Sequence, residues 1–281
     1  MGKLVQEKLT QWKVLNTIYH QHLPTKRPIK DQIKSWYFLF LCSTSPPLPK
    51  GIKDAGLIPR LITDMFQKIS ILSNKLKRKY TVYCSFLEIY NERIYDLLNP
   101  DQLSRLTQAS TGLKLRWHKK DQFLVDDLCI FQCDNPEDLL QLFYTGVKNK
   151  TMASHKLNSS SSRSHCVFEI RVEFTDRMYP DDIITSKMTL VDLAGSERSS
   201  VVNSEGRVAK EAIEINKSLF TLRQVINAIV DAQNKGNRVD HHHIPFRDSK
   251  LTSLLKQSFG GNAYCLMVIE GIQSYSSNSC Q

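Results

Sequence analysis

The sequence predicts an α/β fold, and three observations carry that reading. Residues His165–Phe174 repeat at period two: Cys166, Phe168, Ile170, Val172 and Phe174 fall on one face, with Val167, Glu169, Arg171 and Glu173 on the other. Over about Lys210–Asp231, Ile215, Leu219, Leu222, Ile226 and Ile229 recur at helical spacing. Strand and helix patterns then interleave from Gly56 to Ile269, as they do in layered sheet-and-helix domains.

Each element has a local cause. Lys3–Ile18 has only weak helical spacing. Pro24, Pro28, Pro46, Pro47 and Pro49 interrupt any regular structure over residues 24–49, because proline fixes φ and removes a backbone donor. Trp36–Cys42 reads as a buried strand that ends in Ser-Thr-Ser-Pro-Pro. Pro59 opens a helix whose stripe is Leu61, Ile62, Met65, Phe66 and Ile69. Thr81–Tyr90 is rich in β-branched and aromatic residues and reads as a strand. Leu113–Phe131 holds short strands around the basic turn His118-Lys119-Lys120. Asn135-Pro136 caps a helix with Leu139, Leu140 and Phe143 on one face. The turn Pro180-Asp181-Asp182 leads into a second strand, Ile184–Leu193, and so short a link implies an antiparallel pair. Asp248 is expected to cap a further helix that stops at Phe259, before Gly260-Gly261. Ala263–Ile269 is an apolar strand.

The 281 residues suffice for a sizeable core. Hydrophobic residues make up 41%, and 11 Gly with 10 Pro exclude a collagen-like or wholly disordered chain. The longest apolar run, Trp36–Cys42, is too short to cross a bilayer, and the N-terminus lacks the pattern of a signal peptide. Seven scattered cysteines, an odd number, read as reduced thiols of a cytosolic or nuclear protein. The net charge of +10 is uneven: residues 1–80 hold 15 Lys+Arg against 4 Asp+Glu, and residues 81–281 hold 23 against 24. The basic stretch is a solvated arm or a polyanion-binding segment. Nothing besides that charge points to nucleic acid, so no sequence-specific nucleic-acid partner is expected.

Two segments carry chemistry. In Thr189-Leu190-Val191-Asp192-Leu193-Ala194-Gly195-Ser196-Glu197 an apolar strand ends in Asp192, three residues before Gly195. In phosphate-hydrolysing folds an Asp so placed holds Mg²⁺ through water. A Gly three residues on lets a backbone N–H approach the γ-phosphate. Alone, Asp-x-x-Gly is also an ordinary strand-ending turn. The second segment is Asn158-Ser159-Ser160-Ser161-Ser162-Arg163-Ser164-His165, whose hydroxyls suit Mg²⁺ and water around a phosphate. Arg163 is a permanent cation able to pair with Glu197. Alone, this too reads as a Ser-rich loop.

In this order, the two segments resemble switch I and switch II of the kinesin motor domain. Other stretches agree. Phe86-Leu87-Glu88-Ile89-Tyr90-Asn91-Glu92 with Tyr95-Asp96-Leu97-Leu98 is similar to the family's central strand and the segment after it. Glu214-Ile215-Asn216-Lys217-Ser218-Leu219 is similar to the start of its relay helix. Ile244-Pro245-Phe246-Arg247-Asp248-Ser249-Lys250-Leu251-Thr252 with Gly260-Gly261-Asn262 is similar to its microtubule-facing loop and helix. Gly56-Leu57-Ile58-Pro59-Arg60 is similar to the segment after its P-loop helix. The resemblance runs from Gly56 to Ile269 and implies a kinesin-type P-loop NTPase core, a mixed central sheet flanked by helices.

It also implies roles. Ser161 and Ser162 would contact Mg²⁺ and the γ-phosphate region, with Asn158 in the same nucleotide pocket. Asp192 would hold Mg²⁺ through water, Gly195 would sense the γ-phosphate, and Arg163 with Glu197 would close the switches. Lys217, Arg247 and Lys250 would face tubulin, whose acidic surface suits them. The implied cofactors are ATP and Mg²⁺, the implied partner is the microtubule, and the implied location is the cytoskeleton of the cytoplasm. Glu88 and Glu92 are better explained as structural than as a catalytic carboxylate pair.

One departure changes the functional expectation. A P-loop needs G-x-x-x-x-G-K-[ST], whose amides and Lys cradle the phosphates. The one Gly-Lys pair is Gly2-Lys3, followed by Leu4, and nothing between Trp36 and Gly56 fits. Lys50-Gly51-Ile52-Lys53 lacks the second Gly and the Ser/Thr. The family's last helix and neck linker are also not recognisable after Ile269. The core is thus expected to be incomplete at both ends. The expected division is an atypical basic segment over 1–55, a partial motor domain over 56–272 and a tail over 273–281. Three readings stay open: a microtubule-binding module with weak or absent ATP turnover, an ATP-hydrolysing motor with an unrecognised phosphate loop, and an incomplete splice or gene-model product. His241-His242-His243 reads as a solvated loop rather than a metal site, and Cys129-x-x-x-Cys133 lacks the second pair a zinc site needs.

Overall fold

The computed structural model describes residues 35–39, 56–76, 78–104, 111–118, 122–157, 163–176, 179–195, 207–234, 244–259 and 263–267. Among these, the strands are β1 (Ser35–Leu39), β2 (Lys79–Tyr90), β3 (Arg93–Asp96), β4 (Leu115–His118), β5 (Gln122–Val125), β6 (Phe131–Cys133), β7 (His165–Asp176), β8 (Tyr179–Asp192) and β9 (Ala263–Met267). The helices are α1 (Leu57–Leu76), α2 (Pro100–Ser104), α3 (Pro136–Leu157), α4 (Arg207–Asn234), α5 (Lys250–Leu254) and α6 (Lys256–Phe259), with a 3-10 turn at Phe246–Asp248 before α5.

One seven-stranded sheet runs in the order β3-β2-β7-β8-β1-β9, with β6 also paired to β2. It is mixed. The hairpin β7–β8 is antiparallel as expected, but Pro180-Asp181-Asp182, expected to form its turn, lie within β8, and β2 lies antiparallel to β3, β6 and β7. β1 lies parallel to both β8 and β9. β4 and β5 form a separate antiparallel hairpin. The apolar run from Trp36 thus supplies a strand, Ser35–Leu39, inside the segment read as an atypical arm.

Helices cover both faces of the sheet near the Asp192 end, while farther along β7 the second face carries Glu169, Arg171 and Glu173. Val82, Cys84 and Phe86 of β2, with Phe168 and Ile170 of β7, pack against Ile62 of α1 and Leu139 of α3. Leu87, Ile89, Val167 and Val191 pack on the other face against Leu222 of α4, Leu251 of α5 and Leu255. Phe168 has its ring 5.0 Å from Phe86 and 5.3 Å from Phe143, within the range of favourable aromatic pairs. Gly146 of α3 lies so close to the Phe86 ring that a Cβ there would sit 2.1 Å from it, which is why this helix position carries no side chain.

Helix starts reflect side-chain chemistry. The Asn135 Oδ1 accepts the Asp138 N–H at 2.8 Å, capping α3 as its sequence implies. The expected cap at Asp248 is corrected. Asp248 belongs to the 3-10 turn, and Ser249 is the N-cap of α5: it is extended (φ −142°, ψ 157°) and its hydroxyl accepts the Thr252 N–H at 3.1 Å. The helix expected to reach Phe259 is also interrupted. Leu255 (φ −83°, ψ 0°) leaves helical geometry and separates α5 from α6. Between β2 and β3 the chain turns through Asn91 (φ 50°) and Glu92 (φ 55°), two left-handed residues that match the twist of a tight hairpin. That turn brings the Glu92 carboxylate to the start of α5, where Oε2 accepts the Lys250 N–H at 2.8 Å.

Candidate functional site

The register of the sheet gathers the site residues at one end. Leu39 pairs with Val191, Cys166 with Asp192, Glu88 with Cys166 and Ile89 with His165. The C-terminal ends of β1, β2 and β8 and the N-terminal end of β7 therefore meet there. In sheets with parallel strands, ligands bind beyond the carboxyl ends of those strands. Asp192 closes β8, and the loop Leu193-Ala194-Gly195 leaves directly from it. Arg163 and Ser164 lie immediately before β7, so the Ser-rich segment and the Asp-x-x-Gly loop meet at neighbouring strand ends.

Lys150 of α3 reaches into this corner, and its Nζ lies 2.9 Å from Asp192 Oδ2. Burial alone would lower the Lys150 pKa. The Asp192 carboxylate, through its charge and its hydrogen bond, and the charge of Glu88 oppose this and keep the ammonium protonated. Glu88 is 2% exposed, and its Oε2 has no hydrogen-bond partner among the described residues. Burial raises its pKa, countered in part by the Ser164 hydroxyl and Lys150. Burial likewise pushes the Cys166 thiol up, so it stays a neutral thiol rather than a nucleophile.

His165 is the neighbour of Cys166. Its Nδ1 accepts the Ala194 N–H at 2.9 Å, and its Nε2 lies 2.8 Å from the Ser218 hydroxyl of α4. Burial and then Lys150 push its pKa down to about 4, so the ring is neutral at neutral pH.

A second cluster lies where α4 packs against the 3-10 turn and α5. Lys217 and Arg247 are exposed and Lys250 is half-buried. The β4–β5 hairpin adds Trp117, whose ring has the Arg247 guanidinium 5.2 Å from its centre and the Lys256 ammonium 4.3 Å from it. Each such contact holds a cation in a fixed direction for about 0.5–1 kcal/mol at exposed sites.

The structure thus brings together Arg163, Asp192 and Gly195 at the sheet end, and Arg247 with Lys250 in the second cluster. Asn158, Ser161, Ser162 and Glu197 lie outside the described residues, as do His241-His242-His243. Sequence reasoning missed Lys150, Trp117, Lys256 and the part played by His165. Lys150 gives no local signal, because its partner lies 42 residues away on another element. His165 stood inside the Ser-rich motif but had no assigned partner. Among the described residues, no group of three or more His, Cys, Asp or Glu is placed to hold a metal ion by itself. Nor is any helix among them long and apolar enough to cross a membrane.

A mixed sheet whose parallel strands end beside an Asp-x-x-Gly loop defines an α/β core of the P-loop NTPase type. The kinesin motor domain family model matches residues 49–279. A kinesin-like protein of rice (Oryza sativa subsp. japonica), KIN-12E, is 41% identical over 231 residues, covering 81% of this chain and 12% of that protein. The mouse (Mus musculus) kinesin-like protein KIF9 is 43% identical over 221 residues, covering 78% of this chain and 26% of that protein. The solved structure of a fast kinesin matches with a TM-score of 0.69 and 31% identity, over 85% of this chain and 64% of that one. The motor and motor homology domain of Kar3Vik1 matches with a TM-score of 0.65 and 29% identity, over 84% of this chain and 58% of that one. The chain belongs to the kinesin motor domain family. It spans about an eighth to a quarter of the length of these two curated relatives.

Mg·ATP is the ligand this family implies, and the residues fit it only in part. Asp192 and Gly195 stand at the expected sheet end, but the Asp192 carboxylate is engaged by Lys150 at 2.9 Å. The sequence between β1 and α1 lacks the G-x-x-x-x-G-K-[ST] that would supply amides and an ammonium to the phosphates.

Proposed function

We propose that this chain is a microtubule-binding, kinesin-type module of the cytoskeleton with weak or absent ATP turnover. One observation carries the reading: β1 leaves the sheet beside Asp192, where phosphates would be cradled, and residues 40–55 hold no phosphate-loop sequence. Charge-assisted hydrogen bonds contribute about 1.5–3 kcal/mol each. Four or five lost phosphate contacts therefore remove about 6–15 kcal/mol, against roughly 8 kcal/mol for a whole micromolar site.

The filament-facing residues do not depend on that loop. Arg247 and Lys250 are set by Ser249 capping, by Glu92 and by the packing of α4. On this reading, Lys217, Arg247 and Lys250 meet the acidic tubulin surface. Arg163, Asp192, Gly195 and Glu197, with Asn158, Ser161 and Ser162, are the remnant of the nucleotide site.

A second reading, an ATP-hydrolysing motor with a phosphate loop of unfamiliar form, is favoured by β1 itself. It is parallel to its two neighbours, so its last residue, Leu39, lies at the sheet end where a phosphate loop would begin.

Microtubule co-sedimentation tests the binding claim. The chain is expected to pellet with microtubules at low salt and to be released as salt rises. Arg247→Gln with Lys250→Gln is expected to weaken binding about three- to tenfold. A chain that stays in the supernatant at every microtubule concentration contradicts the proposal.

A further inference from the structure

His165 touches three elements at once. It is the first residue of β7, it accepts the Ala194 N–H of the Asp192–Gly195 loop at 2.9 Å, and it meets Ser218 of α4 at 2.8 Å. His165, Ala194 and Ser218 are each 3% exposed, so water does not replace either bond at low cost. The two contacts fix the proton. A nitrogen that accepts a backbone N–H carries none of its own, so Nδ1 is bare. Nε2 then holds the hydrogen and donates it to the Ser218 hydroxyl.

We infer that His165 is a positioning residue whose ring, held in its Nε2–H tautomer, locks the Asp192–Gly195 loop to α4. Ala194 directly precedes Gly195, so a displacement of the Gly195 amide is carried to Ala194 within one residue. The bond to Nδ1 then has two outcomes: it moves the ring, and Ser218 with it, or it breaks. The ring has little freedom to move alone, because β7 is paired along its length with β2 and β8. The ring thereby adds a directional link between the loop and α4 to the apolar packing of Leu193 on the cluster that holds Leu222 and Ile226. As a route for nucleotide-dependent switching this rests on the kinesin-type reading above, whereas the lock itself does not.

The test uses the full chain, isotopically labelled, without nucleotide or microtubules. NMR reads the exchange of the Ala194 amide and the tautomer of the His165 ring. The wild-type ring is expected as the Nε2–H form, with the Ala194 amide protected. Ser218→Ala leaves the ring N–H without its acceptor, so Ala194 exchange is expected to accelerate about tenfold or more. Ser218→Thr keeps a hydroxyl and is expected to restore protection. Ser218→Ala removes one oxygen and leaves the ring in place, so the test does not depend on folding of a His165 variant. An Nδ1–H ring, an unchanged Ala194 amide in Ser218→Ala, or equal acceleration in Ser218→Thr overturns the inference. A chain that fails to bind microtubules would defeat the proposed function and leave this result standing.

Discussion

Protonating His165 in the folded chain is opposed by burial and by Lys150, which together place its pKa at about 4. In an unfolded chain a histidine titrates near pH 6.5. Between those values the unfolded state binds more protons, so stability rises with pH. The contribution is fully present above about pH 6.5 and is lost as pH falls toward 4. Glu88, whose pKa burial raises, acts in the opposite direction above its ordinary value, so a comparison of variants isolates the histidine. Denaturant unfolding at pH 7 and pH 5 should show wild type losing about 2 kcal/mol more than His165→Asn. Parallel losses in the two proteins would contradict this. The dependence was invisible in the sequence, where His165 is simply the end of a Ser-rich motif. Its partners, Ala194 and Ser218, lie 29 and 53 residues away.

At the scale of elements, period and punctuation carried most of the fold. β2, β7, β8 and α3 are explained by alternation, β-branched residues and the Asn135 cap, because the causes of each lie within its own residues. The start of α5 was not so legible, although Asp248 and Ser249 are both good N-cap types. The 3-10 turn from Phe246 already uses Asp248, whose N–H donates to the Pro245 carbonyl at 3.4 Å, and this leaves Ser249 as the extended residue. Ser249→Ala should therefore cost about 1 kcal/mol, and somewhat more because its hydroxyl also meets Thr252 Oγ1 in a buried site at 2.8 Å. Asp248→Ala should cost less than about 0.5 kcal/mol, since Asp248 is exposed. Thermal unfolding of the two variants checks the assignment, and the reverse order of stabilities would refute it. β1 was half legible: its apolar run marks a buried strand, but parallel pairing between β8 and β9 is a long-range property.

For the whole molecule, the motif order from Gly56 to Ile269 was enough to identify the family, and the sheet explains why that order matters. Asp192 and Arg163 are 29 positions apart in sequence, yet they emerge from adjacent strand ends because β7 and β8 are one hairpin. The Lys150–Asp192 pair was not legible, since nothing in either local sequence marks the other. It pairs the strand-end carboxylate with an ammonium at 2.9 Å. Together with the missing phosphate-loop sequence, this pair leads to one proposal for the molecule: the switch and filament-facing parts of a kinesin motor domain are kept, and tight nucleotide cradling is not. Titration of the full chain with Mg·ATP by calorimetry tests it in a single step. A Kd weaker than about 100 μM is expected, the range left when most phosphate contacts are absent. A Kd in the low micromolar range would contradict the proposal and establish that residues between β1 and α1 cradle phosphates in a form their sequence does not announce.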